Sequence, residues 1–177
     1  MLLLTLRLHN FRNFSEEFVR FHPHFNLICG ENAQGKTNLL EAISLISTGR
    51  SFRTSRYQDL IRHGEKFFFL EAGIIKDLVS QTIKIYYDGK EKKIHLSGKA
   101  LPNFTSLLGL MPSTIYSPQD VELISGFPLI RRRFLNLLLA QSDPLYVHHL
   151  SRFLAALKER SYLLKKGSQQ NRHRPAL

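Results

Sequence analysis

The chain has 177 residues, 43% of them hydrophobic, which is enough for one buried core or a core plus part of a second domain. Its longest apolar runs, Leu2 to Leu4 and Leu137 to Ala140, fall far short of the roughly 20 residues of a membrane span, and no basic segment with a long apolar stretch opens the chain, so a cytoplasmic protein without membrane segments is expected. A formal net charge of +11 draws polyanions, nucleic acid first and anionic membrane or acidic protein behind it, while the single cysteine excludes an internal disulfide.

In chain order, Leu2, Leu4, Leu6 and Leu8 alternate with Leu3, Thr5 and Arg7, a period of two that predicts a strand with one buried face. A second short strand is predicted over Glu17 to Phe21. After Pro23, the apolar run Phe25 to Cys29 reads as a strand ending at Gly30, with Cys29 a small buried residue at its end. From Lys36 the period turns helical, with Leu39, Leu40, Ile43 and Ile46 on one face. Beyond Gly49 the texture becomes β-rich. Phe67 to Ile75, Val79 to Tyr87 and Glu91 to Leu96 are predicted strands of an antiparallel sheet, with Asp88-Gly89 as a tight turn. Short segments follow over 103–108 and 112–117. Two helices come next: Pro128 to Gln141, with Ile130, Phe134, Leu137 and Leu138 on one side, and a helix opened by Asp143-Pro144 with the stripe Leu150, Phe153, Leu154, Leu157 and Leu164. From Gly167 onward the polar, aperiodic sequence predicts a disordered basic tail over 167–177.

The most specific signal is Gly30-Glu31-Asn32-Ala33-Gln34-Gly35-Lys36-Thr37, a full match to G-x-x-x-x-G-K-[ST] between a predicted strand and a helix. Gly30 and Gly35 allow the backbone to turn where a side chain would collide, so that successive amide N–H groups converge on phosphates. Lys36 brings a mobile ammonium to the β and γ phosphates and Thr37 a hydroxyl to Mg2+, while the helix that follows directs its positive end at the anion. Residues Gly30 to Asn38 are therefore the candidate site for ATP with Mg2+.

Further patches carry a resemblance. Leu6-Arg7-Leu8-His9-Asn10-Phe11-Arg12-Asn13-Phe14, then Phe25 to Asn32 leading into the phosphate loop, Leu39-Leu40-Glu41-Ala42-Ile43, Gly49-Arg50-Ser51-Phe52-Arg53, Ile61-Arg62, Ser117-Pro118-Gln119-Asp120, and Arg131-Arg132-Arg133-Phe134-Leu135 together resemble the N-terminal half of the bacterial RecF family. The resemblance implies an α/β P-loop NTPase, an ABC-ATPase-type lobe with an added antiparallel sheet, running into an incomplete helical lobe. It implies a DNA-binding ATPase of recombinational repair and replication-fork maintenance, an ATP-dependent homodimer, and RecR/RecO-type mediator partners at single-stranded and gapped double-stranded DNA, with no membrane partner. It also places Arg12 and Asn13 beside the nucleotide, for a phosphate or base contact, and Gln119 in a Q-loop that senses Mg2+ and the γ-phosphate. The polar pair after Pro118 also fits simple helix capping.

Two basic groups are candidates for DNA contact: Arg50, Arg53 and Arg56 interleaved with Phe52 and Tyr57, and the run Arg131, Arg132 and Arg133, of which some must face solvent. Neither has base-reading chemistry, so the binding expected of them is electrostatic and salt-sensitive. No apolar strand ends in Asp-Glu as a Walker B strand would, and Leu96-Ser97-Gly98-Lys99 sits at an expected hairpin rather than in a signature loop. No catalytic residue is therefore assigned, and hydrolysis by this chain alone is expected to be negligible. The expected organisation is a nucleotide-binding lobe over 1–117, the start of a helical lobe over 118–166, and the tail. A transporter-type nucleotide-binding domain and a non-catalytic truncated fragment are the competing readings.

Overall fold

The chain forms a six-stranded sheet with one helix across its inner face, followed by a helical extension. This computed structural model describes residues 1–172, without the side chains of Gln119, Pro144 and 167–172. The strands are β1 (Leu2–Phe11), β2 (Phe14–Arg20), β3 (Phe68–Lys76), β4 (Val79–Tyr87), β5 (Lys92–Leu96) and β6 (Lys99–Ala100), in the order β2-β1-β3-β4-β5-β6. All neighbours are antiparallel, with Leu8 opposite Leu70 and Leu70 opposite Ile85. Strict alternation directs Leu6, Leu8, Leu70, Ala72, Ile74, Ile83 and Ile85 to one face, where each is fully buried. The expected turn at Asp88-Gly89 is present: the Asp88 carboxylate accepts from the N–H groups of Lys90 and Glu91 at 3.0 and 2.7 Å, which lowers its pKa.

Against this face lies α1 (Lys36–Thr48), burying Leu39, Ala42, Leu45 and Ile46. Gly49, at φ 68°, closes the helix and donates its N–H to the Leu45 carbonyl, an αL cap. The buried stripe differs from the expected one: Leu40 is 46% exposed and Ile43 only half-buried, whereas Glu41 is buried. The rotation arises because the helix also packs on the 3-10 turn Phe104–Leu107, which covers its far side.

The expected strand Phe25 to Cys29 is not formed. Phe25 and Leu27 are 74% and 77% exposed and Cys29 is exposed, so the expectation of a buried cysteine at a strand end is also corrected. A strand needs a neighbour for its N–H and C=O groups, and none lies beside this run among the described residues. The segment is instead shaped locally by Asn26, whose side chain accepts from the His22 N–H at 2.7 Å and donates to the His22 carbonyl at 2.8 Å.

Beyond the sheet come α2 (Glu122–Ser125), α3 (Pro128–Ser142) and α4 (Pro144–Arg172). The Asp143 carboxylate caps α4 by accepting from the Leu145 N–H at 2.8 Å. The helix spans Pro144–Arg172 and so runs into the segment expected to be a tail; a lone glycine costs about 1 kcal/mol in a helix without ending it. Residues 173–177 lie outside the described residues. The apolar stripes are amphipathic as expected but largely unpartnered: Phe134, Phe153, Leu154 and Leu164 are 40%, 62%, 52% and 60% exposed. The extension is riveted to the sheet domain by Gln141, whose amide accepts from the Ser113 N–H at 2.8 Å and donates to the Ser113 carbonyl at 3.2 Å. Ser113 in turn bonds Ser47 of α1 at 2.6 Å.

Candidate functional site

The phosphate loop leads directly into α1, and its shape follows from three positive φ angles, at Gly30 (146°), Ala33 (66°) and Gly35 (106°). Gly35 has a second constraint: a Cβ there would stand 2.8 Å from the Asn13 amide atoms and from the Phe14 ring. The β1–β2 hairpin thus clasps the loop from behind, and the Asn13 amide donates to the Gln34 carbonyl at 3.1 Å. Glu31, Asn32, Ala33 and Gln34 are exposed, as is Thr37 in the first turn of α1, where no acidic residue competes with an incoming anion. The Lys36 ammonium donates to the Gly30 and Glu31 carbonyls, both at 2.7 Å, and so spans the loop opening with N–H capacity to spare. A loop of exposed amides closed by one ammonium suits a polyphosphate, and a Thr37 hydroxyl at the rim suits a hard cation such as Mg2+.

Beside the loop, a cleft of about 570 Å³ is lined by Arg12, Asn13, Asn38, Arg53, Asp59, Ile61, Arg62 and His63. Its wall is organised by Glu41, which sequence reasoning did not single out as a site residue. This carboxylate is fully buried and accepts from Arg12 Nε at 2.9 Å and Nη2 at 2.7 Å. It also accepts from Arg53 Nη1 at 3.4 Å and from the Ser51 hydroxyl. Arg12 spends its remaining Nη1 on the Asp59 carbonyl at 2.7 Å, while its backbone N–H reaches the Leu60 carbonyl at 2.8 Å. The hairpin, α1 and residues 50–62 are therefore held in one network. A chain of amides extends it to the phosphate loop: Arg53 donates to Asn38 at 2.7 Å, Asn38 to Asn13 at 2.8 Å, and Asn13 to Gln34. A sequence signal for Glu41 exists, a carboxylate four residues before buried Leu45 in an apolar helix stripe.

The remaining site residues separate. Arg12, Asn13 and Asn38, expected beside the nucleotide, line the cleft. Arg53, expected on a DNA surface with Arg50 and Arg56, bonds Asn38 and Glu41 at the cleft wall and is exposed, as Arg50 and Arg56 are. Tyr57, from the same segment, donates to the Gly49 carbonyl and packs against Tyr87 and Phe104, and burial raises its pKa. All three of Arg131, Arg132 and Arg133 are exposed, and Arg131 Nη1 donates to the carbonyls of Leu123, Ile124 and Gly126 at 3.3, 3.2 and 3.0 Å. That nitrogen caps the C-terminal end of α2, while the guanidinium stays exposed. The Gln119 side chain lies outside the described residues; its neighbour Asp120 accepts from the Ser117 N–H at 2.5 Å and caps the turn there. Among the described residues no group of His, Cys, Asp and Glu could hold a metal ion, and no helix is long and apolar enough to cross a membrane.

Residues 5–166 match the family model described as AAA domain. The chain belongs to that family, so the loop and the cleft beside it are features of an AAA-type P-loop ATPase domain. Within that class the sequence matches the N-terminal half of proteins named DNA replication and repair protein RecF. The one from Protochlamydia amoebophila is 50% identical over 169 residues, covering 96% of this chain and 47% of the relative. That from Chlamydia trachomatis serovar D is 44% identical over 170 residues, again 96% and 47%. The chain thus spans about half the length of the curated relatives it matches. Among solved structures, the recombination mediator protein RecF with ATP superposes with a TM-score of 0.86 at 36% identity, covering 93% of this chain and 45% of that one. An SMC ATPase structure, at 21% identity and a TM-score of 0.62, shares the fold.

Proposed function

We propose that this chain is the nucleotide-binding lobe of an ATP-dependent DNA repair and replication protein, holding ATP with Mg2+ at residues Gly30 to Asn38. The observation that carries the reading is the Lys36 ammonium bonded to the Gly30 and Glu31 carbonyls across an exposed glycine loop, with an open cleft beside it at Asn13 and Asn38. Lys36 exchanges its two carbonyl partners for phosphate oxygens, Thr37 and the Q-loop residue Gln119 take the cation side, and Arg12 and Asn13 face the base from the cleft. The division into a nucleotide lobe over 1–117 and a helical lobe from 118 belongs to the same proposal. A solved relative is described as RecF with ATP, which supports the nucleotide assignment.

In the whole protein the reading extends to an ATP-dependent homodimer, to RecR/RecO-type mediators, and to single-stranded and gapped DNA held through Arg50, Arg56, Arg132 and Arg133. These four cations are exposed, which suits phosphate contact and counterion release. Arg53 and Arg131, engaged elsewhere, contribute less to that surface. Hydrolysis is assigned to no residue of this chain.

Thermal unfolding with and without Mg-ATP tests the nucleotide site. At a hundredfold excess over the dissociation constant, binding to the native state adds about 2.7 kcal/mol, a rise of about 5–10 °C for a chain of this size. Wild type should show the rise and Lys36→Ala should not, with apo melting temperatures alike. Equal stabilisation of both proteins, or none of either by millimolar purine nucleotide, refutes the assignment. Filter binding of single-stranded, duplex and gapped DNA at two salt concentrations, with and without ATP, tests the DNA reading; indifference to DNA refutes it.

A further inference from the structure

The sheet buries one face under α1, and its other face is not the plainly polar surface that strand alternation ordinarily leaves. Across the strands in register, one outward row runs His9, Phe69, Tyr86 and Lys93, and the next runs Phe18, Arg7, Glu71 and Lys84. Phe67, one residue before β3, joins the first row: its ring centroid lies 5.5 Å from that of His9 and 5.6 Å from that of Tyr86, with planes inclined by 34° and 32°. These rings are half-buried, so part of each aromatic surface meets water. At the β2 edge, Phe18 is 46% exposed, and the Arg7 and Arg20 guanidinium groups each stand 5.7 Å from its ring centroid. The outward cations of β1 to β5, Arg7, Arg20, Lys84 and Lys93, are all exposed, against the carboxylates of Glu16 and Glu71. Lys84 meets Glu71 at 3.1 Å and Lys93 meets Glu91 at 2.9 Å, exposed pairs that cost little to exchange, while Arg7 and Arg20 have no carboxylate partner among the described residues.

We propose that single-stranded DNA lies across this outer face of the sheet, its bases stacked on Phe67, Phe69 and Tyr86 and its phosphates held by Arg7 and Arg20 toward β2 and by Lys84 and Lys93 toward β5. Unpaired bases need flat apolar surface and the strand that carries them needs cations, and here the two are interleaved on one face. A duplex keeps its bases stacked on one another, and an acidic protein has none, so either would engage the cations and leave the rings idle. From β2 to β5 the four strand spacings add to about 19 Å, and sheet surfaces of that kind stack about two or three bases. Sequence selectivity is not expected, because every base has a face to stack while the cations meet only phosphates. The inference rests on the reading of DNA as partner but on none of the arginines assigned to it above, so the two fail separately.

The test is fluorescence anisotropy of the full chain, without nucleotide, against a labelled oligothymidylate, an abasic strand of the same length and a matched duplex. Wild type should bind the oligothymidylate about tenfold more tightly than the abasic strand, as the stacking of a single base on an aromatic side chain allows. Phe69→Leu and Tyr86→Leu, outward substitutions that should leave the far-ultraviolet circular dichroism unchanged, should each remove about that factor on oligothymidylate and nothing on the abasic strand. Arg7→Gln and Lys84→Gln should instead weaken both strands, lowering the log–log salt slope by about 0.7 for each phosphate no longer neutralised. Equal affinity of wild type for oligothymidylate and abasic strand overturns the proposal, as does a duplex bound as tightly as the single strand. Leucine variants that bind like wild type overturn it too. If Arg50→Gln and Arg56→Gln still weaken binding in those cases, the DNA reading stands and this surface alone is lost; no binding to any strand removes both.

Discussion

Replacing Glu41 by glutamine isolates the buried charge at the centre of the cleft wall. The amide matches the carboxylate in shape but leaves the Arg12 fork, at 2.7 and 2.9 Å, facing a neutral group that must turn N–H donors toward donors. Removing one partner of a buried pair costs about 3–5 kcal/mol, because the other charge stays uncompensated. The low end applies, since Arg12 keeps 19% side-chain exposure and the second cation, Arg53, is 45% exposed and bonded at a long 3.4 Å. A loss of about 3 kcal/mol corresponds to a fall of about 6–12 °C in melting temperature for a domain of this size. Urea unfolding followed by circular dichroism measures it, with an unchanged denaturant slope showing that the folded and unfolded states keep their compactness. A double-mutant cycle with Arg12→Ala should return a coupling of about 1–3 kcal/mol, as for groups in one network. A loss below about 1 kcal/mol in Glu41→Gln, or zero coupling, would show that water already screens the pair, and the account of a network fastening hairpin, helix and cleft would be wrong.

Gly35→Ala forces a Cβ to within 2.8 Å of Asn13 and Phe14 at φ 106°, so a destabilisation of about 1–3 kcal/mol and loss of the Mg-ATP thermal shift are expected. Gly30→Ala, where nothing stands within 4 Å but φ is 146°, strains the backbone alone; calorimetry should show weaker nucleotide binding with a smaller change in stability than Gly35→Ala. The buried Tyr57 phenol is held above its ordinary pKa of 10.0, so the unfolded chain loses that proton first and stability falls as pH rises past about 10. Tyr57→Phe should flatten that alkaline slope in pH-dependent melting, and an unchanged slope would assign it to other groups. Charge removal at Arg132 and Arg133 should lower the salt dependence of duplex binding by about 0.9 in log–log slope for each phosphate no longer neutralised, whereas Arg131→Ala should chiefly lower helix stability.

Much of the fold is legible locally. Period-two leucines, the Asp88 turn and the helix cap at Asp143 each depend on a residue and its immediate neighbours, and each stands where the sequence places it. The phosphate loop is legible for the same reason: two glycines, a lysine and a threonine at set spacing dictate a backbone that no distant segment has to supply. Sequence reasoning failed where the outcome depends on what lies alongside. The run Phe25 to Cys29 has a strand's composition but lacks a neighbour, and the buried stripe of α1 is rotated by a turn more than fifty residues further on, at Phe104–Leu107.

By itself, then, the sequence determined that a polyphosphate loop sits between an apolar run and a helix, and that an antiparallel sheet follows, because glycine conformation and side-chain alternation are properties of short stretches of chain. Only the tertiary structure decided that Glu41 is buried, that Arg12 and Arg53 converge on it, and that Arg131 bonds the carbonyls at the end of α2. Which charges meet is set by the close approach of segments remote in sequence, where desolvation makes an unpaired ion costly, and no local pattern encodes that distance.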